Sequence, residues 1–233
     1  MEVDAAQPRP RTSHIRLALW VGFVGVIAAV NYAARFAGGG GGSKGVSQQQ
    51  VYSYSTFAGG TIIYAIWLGI VLLICMDRFD LLALRWPRGW GRALGLGASV
   101  VGATLVWEVA ISYLPLPESP GQEQGITNVP WEPAHAVAFA ANFVLFVAIA
   151  PFVEELTFRG AGQSLLRFLG QWPSIVLVGT AFGLAHGLVE ALIVLVPFGI
   201  ALAWLRDRTN SVVPGMFVHA LFNGAALAYI VVS

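Results

Sequence analysis

The sequence predicts an all-α fold, a polytopic membrane protein of about seven transmembrane helices, and three observations predict it. Hydrophobic residues make up 57% of the 233 and charged residues 11%, against roughly 45–50% and 25% in soluble domains. Seven apolar segments follow one another, most of them near the roughly 20 residues that a helix needs to cross a bilayer. The basic residues cluster in alternate connections between those segments, as the positive-inside rule requires of a multi-span chain. A soluble globular domain, a disordered chain and a nucleic-acid binder are excluded by the same composition, and the net charge of +1 offers no polyanionic partner a basic surface. The expected partners are membrane lipid and whatever enters the membrane domain.

The segments lie near Ile15–Ala37, Phe57–Met76, Leu94–Leu114, Val137–Val153, Ser174–Val189, Ala191–Leu205 and Val213–Val232. Residues 1–14 are expected to be a cytoplasmic tail and 15–233 a single membrane domain. The first apolar run is too long for the core of a cleavable signal peptide and is expected to be a retained helix. The run Gly38–Gly42 and the polar residues up to Thr56 read as a flexible connector. Pro115, Pro117, Pro120, Pro130 and Pro133 punctuate the loop before the fourth segment. The fifth and sixth segments are short and separated only by Glu190, which suggests a tilted or partly re-entrant hairpin. Trp20, Trp86, Trp90, Trp131 and Trp172 sit near segment ends, where an interfacial belt places tryptophan. The single cysteine, Cys75, lies in an apolar run and reads as packing.

Arg9, Arg11 and Arg16 precede the first segment, Arg78, Arg85, Arg88 and Arg92 follow the second, Arg159 and Arg167 follow the fourth, and Arg206 and Arg208 follow the sixth. With seven alternating helices all of these face one side, and only Arg35 and Lys44 face the other. The expected orientation has the N-terminus cytoplasmic and the C-terminus external.

Ionisable groups inside apolar segments cost a few kcal/mol each on insertion scales, so each is a functional candidate. They are Glu108, Glu154, Glu155, Arg159, His186, Glu190 and His219, with Asn142 and Asn223 as polar companions. Glu155 and Arg159 are four apart and share a helical face. Glu154 points about 100° away and is left without the arginine. A carboxylate in a poorly solvated cavity suits a general base. By itself, though, the cluster equally describes an ordinary charged helix end. Phe182 and His186 also share a face, and Gly183 and Gly187 would admit a close neighbour. His219 and Asn223 share another, and an amide can donate to an oxyanion. Either histidine alone reads more simply as an interhelical contact. Together, two carboxylates, two imidazoles and an amide on three successive segments describe an activated water. Glu154, His186 and His219 suit a divalent metal such as Zn²⁺ with an open water position. They suit metal-free activation by a carboxylate equally well, and the sequence leaves both open.

The ordered set Glu154-Glu155-x-x-x-Arg159, Phe182-x-x-x-His186 and His219-x-x-x-Asn223 resembles the CPBP family, the CAAX proteases and bacteriocin-processing enzymes also called the Abi family. The resemblance covers 151–223, and the family core would span about 133–233. It implies an intramembrane endopeptidase acting on a peptide or lipidated protein, with a water-accessible catalytic cavity among its helices. It also implies that Glu154 activates water, His186 positions or ligates it, and His219 and Asn223 complete the site. Glu155, Arg159 and Phe182 would support it. A metal-dependent and a metal-free mechanism both remain compatible with the resemblance. A non-catalytic membrane scaffold or a bacteriocin-immunity protein of the same fold is the alternative. Other protease chemistries lack their residues: there is no His-Glu-x-x-His, no Gly-x-Ser-x-Gly and no mid-membrane aspartate.

One geometric demand follows. His186 lies thirteen residues beyond Pro173, about 20 Å into a straight helix. The groups meet only if the fourth helix runs deeper than its apolar segment, or the fifth is tilted or starts in the membrane; the fourth helix is expected to continue unbroken from about Pro133 past Arg159, with a kink near Pro151.

Overall fold

The computed structural model describes residues 12–37, 48–115 and 129–232. Among them are seven principal helices and no strand. They are α1 Thr12–Phe36, α2 Tyr54–Ile74, α3 Trp90–Ile111, α4 Pro133–Leu169, α5 Gln171–Ala185, α6 Leu192–Thr209 and α7 Val213–Val232. The all-α polytopic reading therefore holds. Four helices are long and apolar enough to cross a membrane: His14–Phe36, Tyr54–Ile74, Trp90–Ile111 and α4. At fifteen residues, α5 falls short of the roughly 20 that a full crossing takes.

The outer surface is apolar, and several polar and charged side chains are buried within an otherwise apolar interior. Ile15, Leu19, Val26 and Val30 on α1 and Ile62, Ile63 and Ile66 on α2 are exposed, while Glu155, Thr157, Arg159, Gln163 and Asn142 are fully buried. In water this arrangement would be unfavourable on both counts. In lipid the outward side chains meet hydrocarbon and the inward polar groups find one another.

The fourth helix runs further than its apolar segment, as expected. It continues through Pro151 to Leu169, with changes of helical register on both sides of that proline. Five residues, Leu145–Ile149, and seven, Leu156–Gly162, form wider π-type turns on either side of Ala150–Glu155. Gly170, at φ 105°, then reverses the chain into α5. Glu154 lies sixteen residues before this turn and His186 sixteen after it, so an antiparallel pair brings both to one depth.

The short fifth and sixth segments form a tightly packed antiparallel hairpin. A Cβ on Gly199 would lie 2.6 Å from the Gly179 carbonyl oxygen, and one on Gly183 would lie 2.6 Å from Val196. Only glycine permits the backbones to approach this closely. Glu190 lies in the turn between them, as its position in the sequence suggested.

Some expectations need correction. Trp20 does not belong to an interfacial belt. It is 3% exposed, its indole N–H donates to the Thr157 carbonyl at 2.9 Å, and its ring occupies the space beside Gly162. Trp86, Trp90, Trp131 and Trp172 are exposed near helix ends. The polar connector ends earlier than Thr56. Gln48–Val51 form a helical turn, and Ser53 caps α2 by accepting from the Ser55 N–H, a favoured role for serine. The glycine run 38–42 and the loop residues Pro117 and Pro120 lie outside the described residues. Cys75 is fully buried in the core, in keeping with packing.

Candidate active site

Glu154 and Glu155 sit on the α-helical stretch Ala150–Glu155 between the two π-type turns. They diverge as the 100° step requires. Glu155 turns into the protein and is fully buried. Its Oε1 accepts from Arg159 Nη1 at 2.6 Å and from His219 Nδ1 at 3.1 Å. Arg159, also fully buried, donates through Nη2 to the Gly199 carbonyl at 3.1 Å, and its guanidinium lies 4.2 Å over the Phe182 ring. This one side chain thus ties α4 to α5 and α6. Gly215 on α7 leaves room for Glu155, since a Cβ there would lie 2.8 Å from Oε2.

Glu154 faces the other way, into a cavity of about 270 Å³. Its Oε1 accepts from the Tyr64 hydroxyl at 2.8 Å, and its Oε2 lies 3.7 Å from His219 Nε2. His186 caps the C-terminus of α5. Its Nδ1 is 2.8 Å from the Phe182 carbonyl, which can only accept, so Nδ1 carries the proton and Nε2 is the nitrogen left for a ligand. His219 is held the same way: Nδ1 donates to Glu155 and Nε2 is turned toward Glu154. Phe182 and Phe198 flank its ring edge-on at 5.5 and 5.6 Å. Phe182 also touches His186 at 4.7 Å, so one aromatic ring spaces both imidazoles and the arginine.

Asn223 lines the same cavity, and its Nδ2 donates to the Phe146 carbonyl at 2.9 Å. That carbonyl is available for a local reason. In the π-type turn the Ala150 N–H bonds to the Leu145 carbonyl. The next donor in that register would be residue 151, a proline with no N–H. Phe146 is left without a helical partner, and Asn223 supplies one. One amide hydrogen of Asn223 is thereby committed and the other is not.

Residues 136–225 match the family model of type II CAAX prenyl endopeptidases, described as Rce1-like. The resemblance to the CAAX protease family read from the three motifs therefore holds over this segment. No curated protein and no solved structure matches the chain. The Rce1-like segment contains Glu154, Glu155, Arg159, Phe182, His186, His219 and Asn223. It excludes α1, α2 and α3.

All four residues expected to act on water, Glu154, His186, His219 and Asn223, line the one cavity together with Phe182. Glu155 and Arg159 stand behind it. Glu108 is half-buried on α3 and does not line it. Asn142 is elsewhere, donating to the Val51 and Ser53 carbonyls at 2.9 and 3.0 Å to hold the approach to α2. Among the described residues no three His, Cys, Asp or Glu side chains are placed to hold a metal ion.

Sequence reasoning missed three contributors from outside the family segment. Tyr64 reaches Glu154 from α2. On α1, Asn31 Nδ2 donates to the Ala185 carbonyl at 2.7 Å and Tyr32 to the Leu188 carbonyl at 3.2 Å. The first satisfies the last carbonyl of α5, where a helix leaves its acceptors unpaired, and the second a carbonyl just beyond it, so the two fix the turn that carries His186. Gly187, at φ +67°, is pressed against Asn31, 2.6 Å from where its Cβ would be. The available signal was the polar group itself: an asparagine or a tyrosine hydroxyl inside an apolar run needs a buried partner.

Proposed function

We propose that the chain is an intramembrane endopeptidase that hydrolyses a peptide bond near the C-terminus of a membrane-associated or lipidated, CAAX-like substrate. The observation that carries this reading is the convergence of Glu154 from α4, His186 from α5, and His219 and Asn223 from α7 on one cavity. At the coarser level, the Rce1-like match supports a CAAX-type intramembrane protease.

The chemistry follows from the free atoms. Water in the cavity lies between Glu154 Oε2 and His186 Nε2. Glu154 takes a proton from it as the water oxygen attacks the substrate carbonyl carbon. The tetrahedral oxyanion accepts the uncommitted N–H of Asn223. The C–N bond then breaks and the proton held by Glu154 passes to the leaving nitrogen, which restores the carboxylate. His219, oriented by Glu155, lies against Glu154 and holds the local charge. A positioned carboxylate base contributes about 10²–10⁴-fold, and one oxyanion donor about 10²–10³-fold.

The same reading places the N-terminus in the cytoplasm and the C-terminus outside, since the arginines around the start of α1, between α2 and α3, and in the last turns of α4 and α6 then share the cytoplasmic face; Arg159, buried within α4, does not count toward it. Substrate peptide reaches the cavity nearer the cytoplasmic leaflet.

The test compares membrane proteomes of cells carrying the wild-type chain and Glu154→Ala. New C-termini and released tail peptides are expected with the wild type alone. Identical proteomes at equal protein levels would instead favour a non-catalytic scaffold or bacteriocin-immunity role.

A further inference from the structure

We infer that Tyr64, on a helix outside the Rce1-like segment, is a positioning residue that holds Glu154 with one carboxylate oxygen committed and the other presented to the cavity. The inference rests on the proteolytic reading of Glu154 given above.

The geometry is a matched pair of contacts. Tyr64 and Trp67 are three residues apart on α2, and Glu154 and Thr157 are three apart on α4. Residues at this spacing lie on one face of a helix. The Tyr64 hydroxyl donates to Glu154 Oε1 at 2.8 Å, and the Trp67 indole N–H donates to Thr157 Oγ1 at 2.8 Å. The two rings stack at 5.5 Å with an interplanar angle of 16°. Thr157 is itself fixed, since its hydroxyl donates to the Val153 carbonyl at 2.7 Å. Trp67 and Thr157 therefore set the register of α2 against α4 and deliver the phenol to the carboxylate.

A glutamate side chain has three rotatable bonds, and Glu155 shows what can hold one still: two cationic or imidazole donors on one oxygen. Glu154 has no arginine. Its closest fixed donor is the phenol, and its other near group, His219 Nε2, is 3.7 Å away, beyond direct hydrogen-bond length. With Oε1 occupied, Oε2 is the oxygen that faces His219 and the water. Tyr64 lines the same cavity, and its hydroxyl is committed to Glu154 Oε1, so the phenol is inferred to act through Glu154.

This separates the two aromatic residues. Trp67 holds the helices in register, and Tyr64 orients the base. Tyr64→Phe keeps the ring and its stacking and removes only the donor. Misplacement of a catalytic group by about 1 Å costs on the order of 10²-fold in rate. Tyr64→Phe is accordingly expected to lower kcat about 10- to 100-fold with KM within about twofold of wild type. Replacement of Tyr64 by para-aminophenylalanine, which restores an N–H donor on the same ring, should recover most of the loss. Trp67→Phe should lower thermal stability more than kcat.

The experiment uses the full-length protein in lipid nanodiscs with a lipidated peptide substrate identified from the proteome comparison, and Glu154→Gln in parallel. Wild-type kcat retained in Tyr64→Phe, with Glu154→Gln inactive, overturns the positioning role and leaves the protease reading intact. Equal loss in Tyr64→Phe and its para-aminophenylalanine counterpart also overturns it, because a role without the donor would be steric. A second arm needs no turnover. The infrared carboxyl band removed by Glu154→Gln should shift in the Tyr64→Phe background, and an unmoved band refutes the contact whether or not the chain is a protease.

Discussion

Arg159→Met tests the buried ion pair that stands behind the cavity. Arg159 and Glu155 are both fully buried, so neither charge has water to fall back on. Removing one partner of a buried pair generally costs about 3–5 kcal/mol, chiefly because the other charge is left uncompensated. Two features set the value here. Glu155 Oε1 keeps one donor, His219 Nδ1 at 3.1 Å, which moderates the loss. Against that, the Gly199 carbonyl inside α6 loses the Arg159 Nη2 donor and keeps only its helical partner. The expected destabilisation of Arg159→Met is therefore about 4 kcal/mol. Glu155→Gln/Arg159→Met removes both charges, and its cost should fall below the sum of the single substitutions by about 0.5–3 kcal/mol, the range found for coupled neighbours. Unfolding of the purified protein in mixed micelles, followed by tryptophan fluorescence against denaturant, measures all three. A cost under about 1 kcal/mol for Arg159→Met, outside the range expected of a broken buried pair, would falsify the reasoning. So would strict additivity in the double variant.

Two further outcomes are expected. Asn223→Ala removes both the proposed oxyanion donor and the partner of the Phe146 carbonyl. It should lower kcat by about 10²–10³-fold, measured as peptide cleavage in nanodiscs; a rate within a few-fold of wild type would remove Asn223 from the reaction. Gly199→Ala forces a methyl against the Gly179 carbonyl, 2.6 Å away, and displaces the backbone that receives Arg159. Overpacking of this kind costs about 1–3 kcal/mol, and unchanged thermal unfolding would show that α5 and α6 are not held as closely as described.

The membrane class, the helical segments and the paired spacing of the site residues were legible in the chain because they are local properties. Apolar run length sets whether a segment can cross a bilayer, and the four-residue repeat sets which side chains share a face. Glu155 and Arg159 meet for that reason alone. The extent of α4 was also expected, since a fourth helix running past its apolar segment was one of the ways for Glu154 and His186 to reach one depth. What the local rules did not supply was the manner of that continuation. Pro151 lies beside a change of helical register, and Asn223 from α7 satisfies the Phe146 carbonyl left over.

Everything decided by a partner on another helix required the tertiary structure. Trp20 looks like a belt residue until Thr157 and Gly162 are seen around it. Tyr64, Asn31 and Tyr32 look like incidental polar groups in apolar runs until their acceptors, Glu154 and the carbonyls at and just beyond the end of α5, are placed beside them. The distinct fates of two adjacent glutamates show the division most plainly. Helical geometry alone states that Glu154 and Glu155 face different directions. Only the packing of α2, α6 and α7 against α4 determines that Glu155 is enclosed by Arg159 and His219 while Glu154 keeps one oxygen toward open space. Spacing fixes direction along a single helix, whereas burial and hydrogen bonding depend on which helices lie in those directions.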